Sequence, residues 1–159
     1  MTVPASLMQR IYTQCYNVPH TDKEEEIGIE TAMDITVRST EIDVNGHVNN
    51  AKYLEYLEWG REDWYERLGL HYDRLLDMGV ITVVVHVSAD FRLEAKQNDK
   101  LMIRTRLSKI GNTSFTMKQS IDNQREQRVL DAEFVIVTVD ARSRQKTEVP
   151  SAIRDVLVP

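Results

Sequence analysis

The chain has 159 residues, 42% hydrophobic and 28% charged, with a net charge of −5 at pH 7. That length suits one domain with a real core, the apolar content excludes disorder, and the acidic surplus excludes a nucleic-acid partner held by the overall field. Cys15 is the single cysteine, which excludes an internal disulfide framework and a cysteine-rich zinc site. A basic-then-apolar leader and a run of the ~20 apolar residues needed by a membrane helix are both missing, so the expected setting is the cytoplasm, with no membrane partner.

Residues 1–30 mix Pro4, Pro19 and the acidic run 22–26 without a sustained period, and are read as an N-terminal extension with one short helix near 7–16. Residues 33–39, Met-Asp-Ile-Thr-Val-Arg-Ser, alternate apolar and polar as a half-buried strand does. A polar loop over 41–50 leads into a predicted helix over 53–68. There Tyr53, Leu57, Gly60, Trp64 and Leu68 recur at helical spacing, with Leu54, Arg61 and Tyr65 along the adjoining edge. Asn49 and Asn50 stand where an N-cap belongs, and Gly69 suits a left-handed C-terminal cap. Residues 71–78 form a second short helical turn.

From residue 80 the period changes. Residues 80–91 are rich in β-branched side chains and read as a strand apolar on both faces at its centre. Strands over 100–109 and 113–121, joined through Ile110-Gly-Asn112, form a hairpin. A polar turn over 122–127 precedes the last strand, 128–140, in which Val129, Val135, Val137 and Val139 stand out. Residues 142–146 are a basic surface stretch. The tail, 150–159, carries a short helix over 150–157 with proline in its first turn. One strand, one long helix and four further strands predict an α+β domain over 31–149, with a strongly curved five-stranded antiparallel sheet packed on the helix. Gly60, at about 1 kcal/mol of helix propensity, fits a place where sheet and helix approach closely.

The loop carries the chemistry. Asp43, Asn45 and His47 alternate, so in an extended loop all three point to one side and offer an acid, an amide and an imidazole. A carboxylate partly desolvated by the neighbouring helix is a better base or nucleophile than a hydrated one. Asn45 and His47 are placed to orient water or substrate, and backbone N–H groups near Asn49 and Asn50 to hold an oxygen that gains negative charge. Taken singly, each is also an ordinary turn or cap residue, as Asn-Gly and loop Asp are. His20, His47, His71 and His86 show no metal-ligand spacing with carboxylates, so no metal is expected.

The run Asp43-Val-Asn-Gly-His-Val-Asn-Asn-Ala-Lys-Tyr-Leu-Glu-Tyr-Leu-Glu58 resembles the signature of the hotdog-fold thioesterases, both the 4-hydroxybenzoyl-CoA thioesterase-like group and the acyl-ACP thioesterases. The likeness extends over about residues 35–140 and takes in the later Ser88-Ala-Asp-Phe-Arg-Leu-Glu-Ala and Asp99. The resemblance implies a single hotdog fold, a long central helix wrapped by the sheet. It places Asp43 on the catalytic carboxylate of the hydroxybenzoyl-CoA group, and Asn50 on the residue whose N–H polarises the thioester carbonyl. Tyr53 joins Asn49 and Asn50 as a substrate-positioning candidate. Asp43, Asn45 and His47 also match the Asp-x-Asn-x-His pattern of acyl-ACP thioesterases. Those proteins are usually double hotdogs or longer chains, so an acyl- or aroyl-CoA is the implied substrate. Coenzyme A enters only as part of that substrate, and no cofactor is implied.

Arg92, Lys96, Arg104, Arg106 and Lys118 are the candidate cations for CoA phosphates, with a solvated sheet face as the alternative. Glu58 matches no catalytic carboxylate and is expected to pair with Arg61 across a helical turn. The apolar strand 80–91 is a hazard as an open edge, and the resemblance implies that two copies pair there, giving a homodimer or dimer of dimers with the active site at the interface. A non-catalytic acyl-CoA sensor is the competing class. It resembles a hotdog fused to a helix-turn-helix, for which the ~30 residues before Met33 are too few and too acidic.

Overall fold

The computed structural model describes residues 29–157, so the short helix expected near 7–16 lies outside the described residues. In chain order the elements are β1 (Glu30–Thr36), a 3-10 turn (Ser39–Glu41), α1 (Asn50–Arg67), α2 (Tyr72–Asp77), β2 (Val80–Phe91), β3 (Lys100–Ile110), β4 (Ser114–Asn123), β5 (Arg128–Asp140), α3 (Ser151–Arg154) and a second 3-10 turn (Asp155–Leu157). The strands form one curved antiparallel sheet in the order β1-β3-β4-β5-β2. Register shifts at Val84/His86, Leu107/Lys109 and Ile121/Asp122 add local twist, which helps the sheet bend around α1.

The first strand starts three residues earlier than the alternation 33–39 indicates, and ends at Thr36. Val37 leaves the ladder because its backbone bonds the connection after β2 instead, its N–H reaching Asp99 O (2.9 Å) and its carbonyl Asn98 N (2.9 Å). Val37 is buried, so the apolar position was correctly sensed although the strand ends before it.

On α1 the buried residues are Tyr53, Tyr56, Leu57, Gly60 and Trp64. Leu54, expected on the edge of the apolar face, is exposed, and Tyr56 lies inward in its place. The helix packs against β1 and β3 with almost no gap at Gly60. A Cβ there would stand 2.6 Å from Ile103 Cγ2 and 2.9 Å from both Gln119 Nε2 and Thr105 Oγ1. The buried Gln119 amide beneath it donates to Leu57 O and to Thr105 Oγ1, each at 2.8 Å. Arg61 does not turn to Glu58. Its Nη1 donates to Gln119 Oε1 (3.0 Å) and its guanidinium lies 3.9 Å over the Phe134 ring, where burial lowers its pKa.

Among the described residues β2 forms an outer edge of the sheet, bonded only to β5, and Val83, Val84, Val85 and Val87 are exposed along it. On β5 the inward residues are Leu130, Phe134 and Ile136, so the conspicuous Val135 and Val139 fall on the half-buried alternate face. Pro150 is the N-cap of α3 rather than a residue of its first turn. The tail is packed: Ile153 and Val156 are buried, and the Arg154 guanidinium donates to Gly111 O and Asn112 O.

Candidate active site

Residues 42–48 fold back on themselves instead of extending. Ile42 and Val48 form an antiparallel bridge, Asp43 N bonds His47 O (2.9 Å), and Gly46 N bonds Asp43 O (3.0 Å) with Gly46 at φ +81°, a conformation that suits glycine. The Asp43 carboxylate accepts the Asn45 N–H at 2.8 Å, an Asx-turn. The expectation that Asp43, Asn45 and His47 share one side of an extended loop is therefore corrected. Asp43 and His47 face each other across the turn, with Asp43 Oδ2 3.8 Å from His47 Nδ1 and both side chains about one-fifth to one-quarter exposed. Asn45 sits exposed at the tip beside Val44. His47 Nδ1 lies 3.2 Å from Val48 O, so a proton on Nδ1 leaves Nε2 as the lone-pair nitrogen.

Beyond the turn, Asn49 is the N-cap of α1, its Oδ1 accepting the Ala51 N–H at 2.9 Å. Asn50 is the first helical residue and belongs to the turn whose N–H groups have no intrahelical acceptor. No acidic side chain stands in that first turn, so the positive end of the helix dipole is not neutralised from within it. Tyr53 lies behind this end, buried, with its hydroxyl accepting the Ala95 N–H at 3.1 Å. Ala95 O in turn accepts Val48 N (2.9 Å), so one residue of the segment after β2 is bound both to the loop and to the helix.

The five candidate cations are not gathered at this loop. Arg92 and Lys96 flank Ala95, and each has a carboxylate: Arg92 Nε meets Asp131 at 2.8 Å, and Lys96 Nζ meets Glu94 at 3.1 Å. Arg104, Arg106 and Lys118 lie on the outer face of the sheet, alternating with the buried Ile103, Thr105, Leu107, Met117 and Gln119. Arg106 and Lys118 are cross-strand neighbours, and Arg104 pairs with Glu30 (3.3 Å) and Asp122 (3.7 Å). Arg128 joins Asp122 to Asp131, completing a belt of alternating charge across the strands.

The family model of the thioesterase-like superfamily matches residues 37–157. The chain belongs to that superfamily. It is a thioester hydrolase with a hotdog fold, and acyl-CoA thioesterase activity is the activity of its relatives at family level. It is similar to the long-chain acyl-CoA thioesterase FadM of Escherichia coli, 32% identical over 77% of this chain and 93% of that one. It is also similar to the chloroplastic acyl-acyl carrier protein thioesterase ATL3 of Arabidopsis thaliana, 27% identical over 79% of this chain and 66% of the other. Among solved structures, Slr0204, a 1,4-dihydroxy-2-naphthoyl-CoA thioesterase from Synechocystis, superposes with a TM-score of 0.74 at 19% identity, over 81% of this chain and 96% of that one. At that identity the match speaks for the fold alone.

Two residues beside the loop of this thioesterase escaped sequence reasoning. Glu41 is buried, and its Oε2 accepts both the Arg38 N–H (2.7 Å) and the Tyr56 hydroxyl (2.6 Å). The reach of Glu41 back to Arg38 is half of a capping box. The Ser or Thr that makes such a box legible is replaced here by Arg38. Tyr56 falls three residues after Tyr53, so its helical position was readable, but its hydroxyl partner belongs to a turn that only the tertiary fold brings near. Among the described residues no group of three or more His, Cys, Asp or Glu is placed to hold a metal ion, and no helix is long and apolar enough to cross a membrane.

Proposed function

We propose that this protein hydrolyses an acyl- or aroyl-CoA thioester in the cytoplasm with Asp43 as its reacting carboxylate. The observation that carries the reading is the half-buried Asp43, fixed by its own turn just ahead of a helix N-terminus without acidic side chains in its first turn. Asp43 serves in one of two ways. As a base it takes a proton from water, whose oxygen then bonds the acyl carbon. As a nucleophile it bonds that carbon itself, and water hydrolyses the resulting anhydride. In both the C–S bond breaks and the CoA sulfur leaves with a proton. The carbonyl oxygen gains charge in the transition state, and the N–H of Asn50, in the first turn of α1, is the donor assigned to meet it, an interaction of the kind worth about 3 kcal/mol. Asn49 holds that turn, Tyr53 holds the neighbouring segment, His47 beside Asp43 orients water or the acyl group, and Asn45 gives Asp43 its backbone N–H.

The substrate class rests on the likeness to FadM, most of whose length this chain matches. Carrier-protein thioesters are the second reading, favoured by the likeness to ATL3. A panel of acetyl-, hexanoyl-, palmitoyl- and benzoyl-CoA, set beside the same acyl groups on carrier protein and read by free-thiol release, tests both. Turnover of the CoA set at higher kcat/KM is expected, and no release from any of them overturns the reading.

The exposed valines of β2 support self-association through that edge as a dimer or dimer of dimers, because an open apolar strand is otherwise an aggregation template. The active site then lies at the subunit interface. Light scattering at micromolar concentration is expected to give at least twice the chain mass of 18.4 kDa, and a monomer mass counts against this.

A further inference from the structure

We propose that the buried Glu41–Tyr56 pair is a positioning device for the loop 42–50, setting the height of Asp43 and of the α1 N-terminus relative to each other. The inference rests on the thioesterase reading for its consequence but not for its geometry. Three independent hydrogen bonds converge on Glu41. Its Oε2 accepts from Arg38 N on the chain entering the loop and from Tyr56 Oη on the helix leaving it, and its carbonyl accepts from Asn49 N, the N-cap (2.9 Å). Only Ile42 separates Glu41 from Asp43, so the same side chain that grips the helix anchors the near end of the catalytic turn. Neither Glu41 nor Tyr56 can touch substrate easily: Glu41 is 9% exposed and Tyr56 wholly buried.

The pair is suited to fixing a distance. A carboxylate accepting a phenol O–H makes a short, directional bond, stronger than one between neutral groups. Burial first, and the bond to Glu41 second, push the Tyr56 pKa far above the ordinary phenol range, so Tyr56 stays a donor wherever the enzyme works. The ring is held in turn by edge contacts with Tyr53 (6.0 Å) and by Trp59 (5.5 Å), so the donor has little freedom to follow a loop that drifts. A misplacement of about 1 Å in a reacting group can cost on the order of 100-fold in rate.

The experiment uses the full chain and the best-hydrolysed member of the CoA panel. Tyr56→Phe keeps the ring and removes only the hydroxyl. Its kcat is expected to fall about 10- to 100-fold with KM changed by less than about threefold. Glu41→Ala, which also removes the acceptor of Arg38 N, should lose at least as much, and the double variant should be no worse than Glu41→Ala alone, since the bond to Tyr56 is already gone there. Glu41→Gln keeps an acceptor oxygen and should recover most of the lost kcat. Amide hydrogen exchange, which needs no activity, should quicken in residues 42–50 of Tyr56→Phe while β3 and β4 keep wild-type protection. If the wild type hydrolyses no thioester, the functional reading fails and the exchange experiment alone decides the pair. Wild-type loop exchange in Tyr56→Phe, or exchange quickened uniformly across the sheet, overturns the proposal, as does an unchanged kcat in an active enzyme.

Discussion

The loop 41–50 and the outer face of the sheet are both rich in charged and polar side chains, yet they use them in opposite ways. In the loop, polar side chains bond mostly to nearby backbone. Asp43 holds Asn45 N, Asn49 holds Ala51 N, and the buried Glu41 holds Arg38 N together with a tyrosine of the helix. On the outer face the same residue types bond to each other in reach of water, Arg104 to Glu30 and Asp122, and Arg128 to Asp122 and Asp131. Exposed pairs typically contribute no more than about 1 kcal/mol, because solvent screens them and two long side chains lose freedom in forming them. The buried Tyr56 hydroxyl has no water to fall back on, and losing Glu41 leaves it unpaired. The lesson is that the number of charges says little and the position of the partner says much.

The sharpest test removes the loop's charge and leaves its shape. Asp43→Asn retains an oxygen to accept the Asn45 N–H, so melting temperature should hold while turnover drops roughly 100- to 10,000-fold. Full turnover in a folded Asp43→Asn protein would break the assignment. Next in size is the contact that seats the helix against the sheet. Gly60→Ala gains about 1 kcal/mol of helix propensity, but its methyl meets Ile103, Thr105 and Gln119 inside ordinary contact distance, and overpacking of that kind costs about 1–3 kcal/mol. A net loss of stability in denaturant titration is therefore expected, and a gain would mean the helix can lift off without consequence.

A smaller difference separates the two asparagines before α1. Asn49→Ala should cost about 1 kcal/mol, since its side chain is the cap. Asn50→Ala should leave stability within about 0.5 kcal/mol, because its exposed side chain caps nothing and the alanine keeps the backbone N–H. Equal losses in thermal melts of the two would remove the distinction. Smallest of all is the outer face. Arg104→Ala should lower stability by less than about 1 kcal/mol. A raised KM for acyl-CoA in that variant would place CoA phosphates on this face, whereas an unchanged KM leaves Arg104 a structural partner of Glu30 and Asp122.

Much of this could be read from the chain itself, and for local reasons. The bounds of β2 and β5, the helix from its periodic apolar residues, the cap before it, Gly69 after it and the close approach at Gly60 all follow from spacing and propensity within a few residues. The motif around Asp43 marked the family because its residues are contiguous. What tertiary structure decided is everything that depends on a partner distant in sequence. Val37 leaves β1 because Asp99 and Asn98 claim its backbone, and Arg61 passes over Glu58 for Gln119 and Phe134 across the core. The loop folds back so that Asp43 meets His47 rather than Asn45's side chain, a choice made by the Ile42–Val48 bridge and by Ala95 holding Val48. Glu41 reads as one more acid in a polar stretch until the fold carries Tyr56 to within 2.6 Å of it. Periodicity reports which face of an element turns inward, but a hydrogen bond is decided by the last ångström between two elements, and that distance exists only once the sheet has closed around the helix.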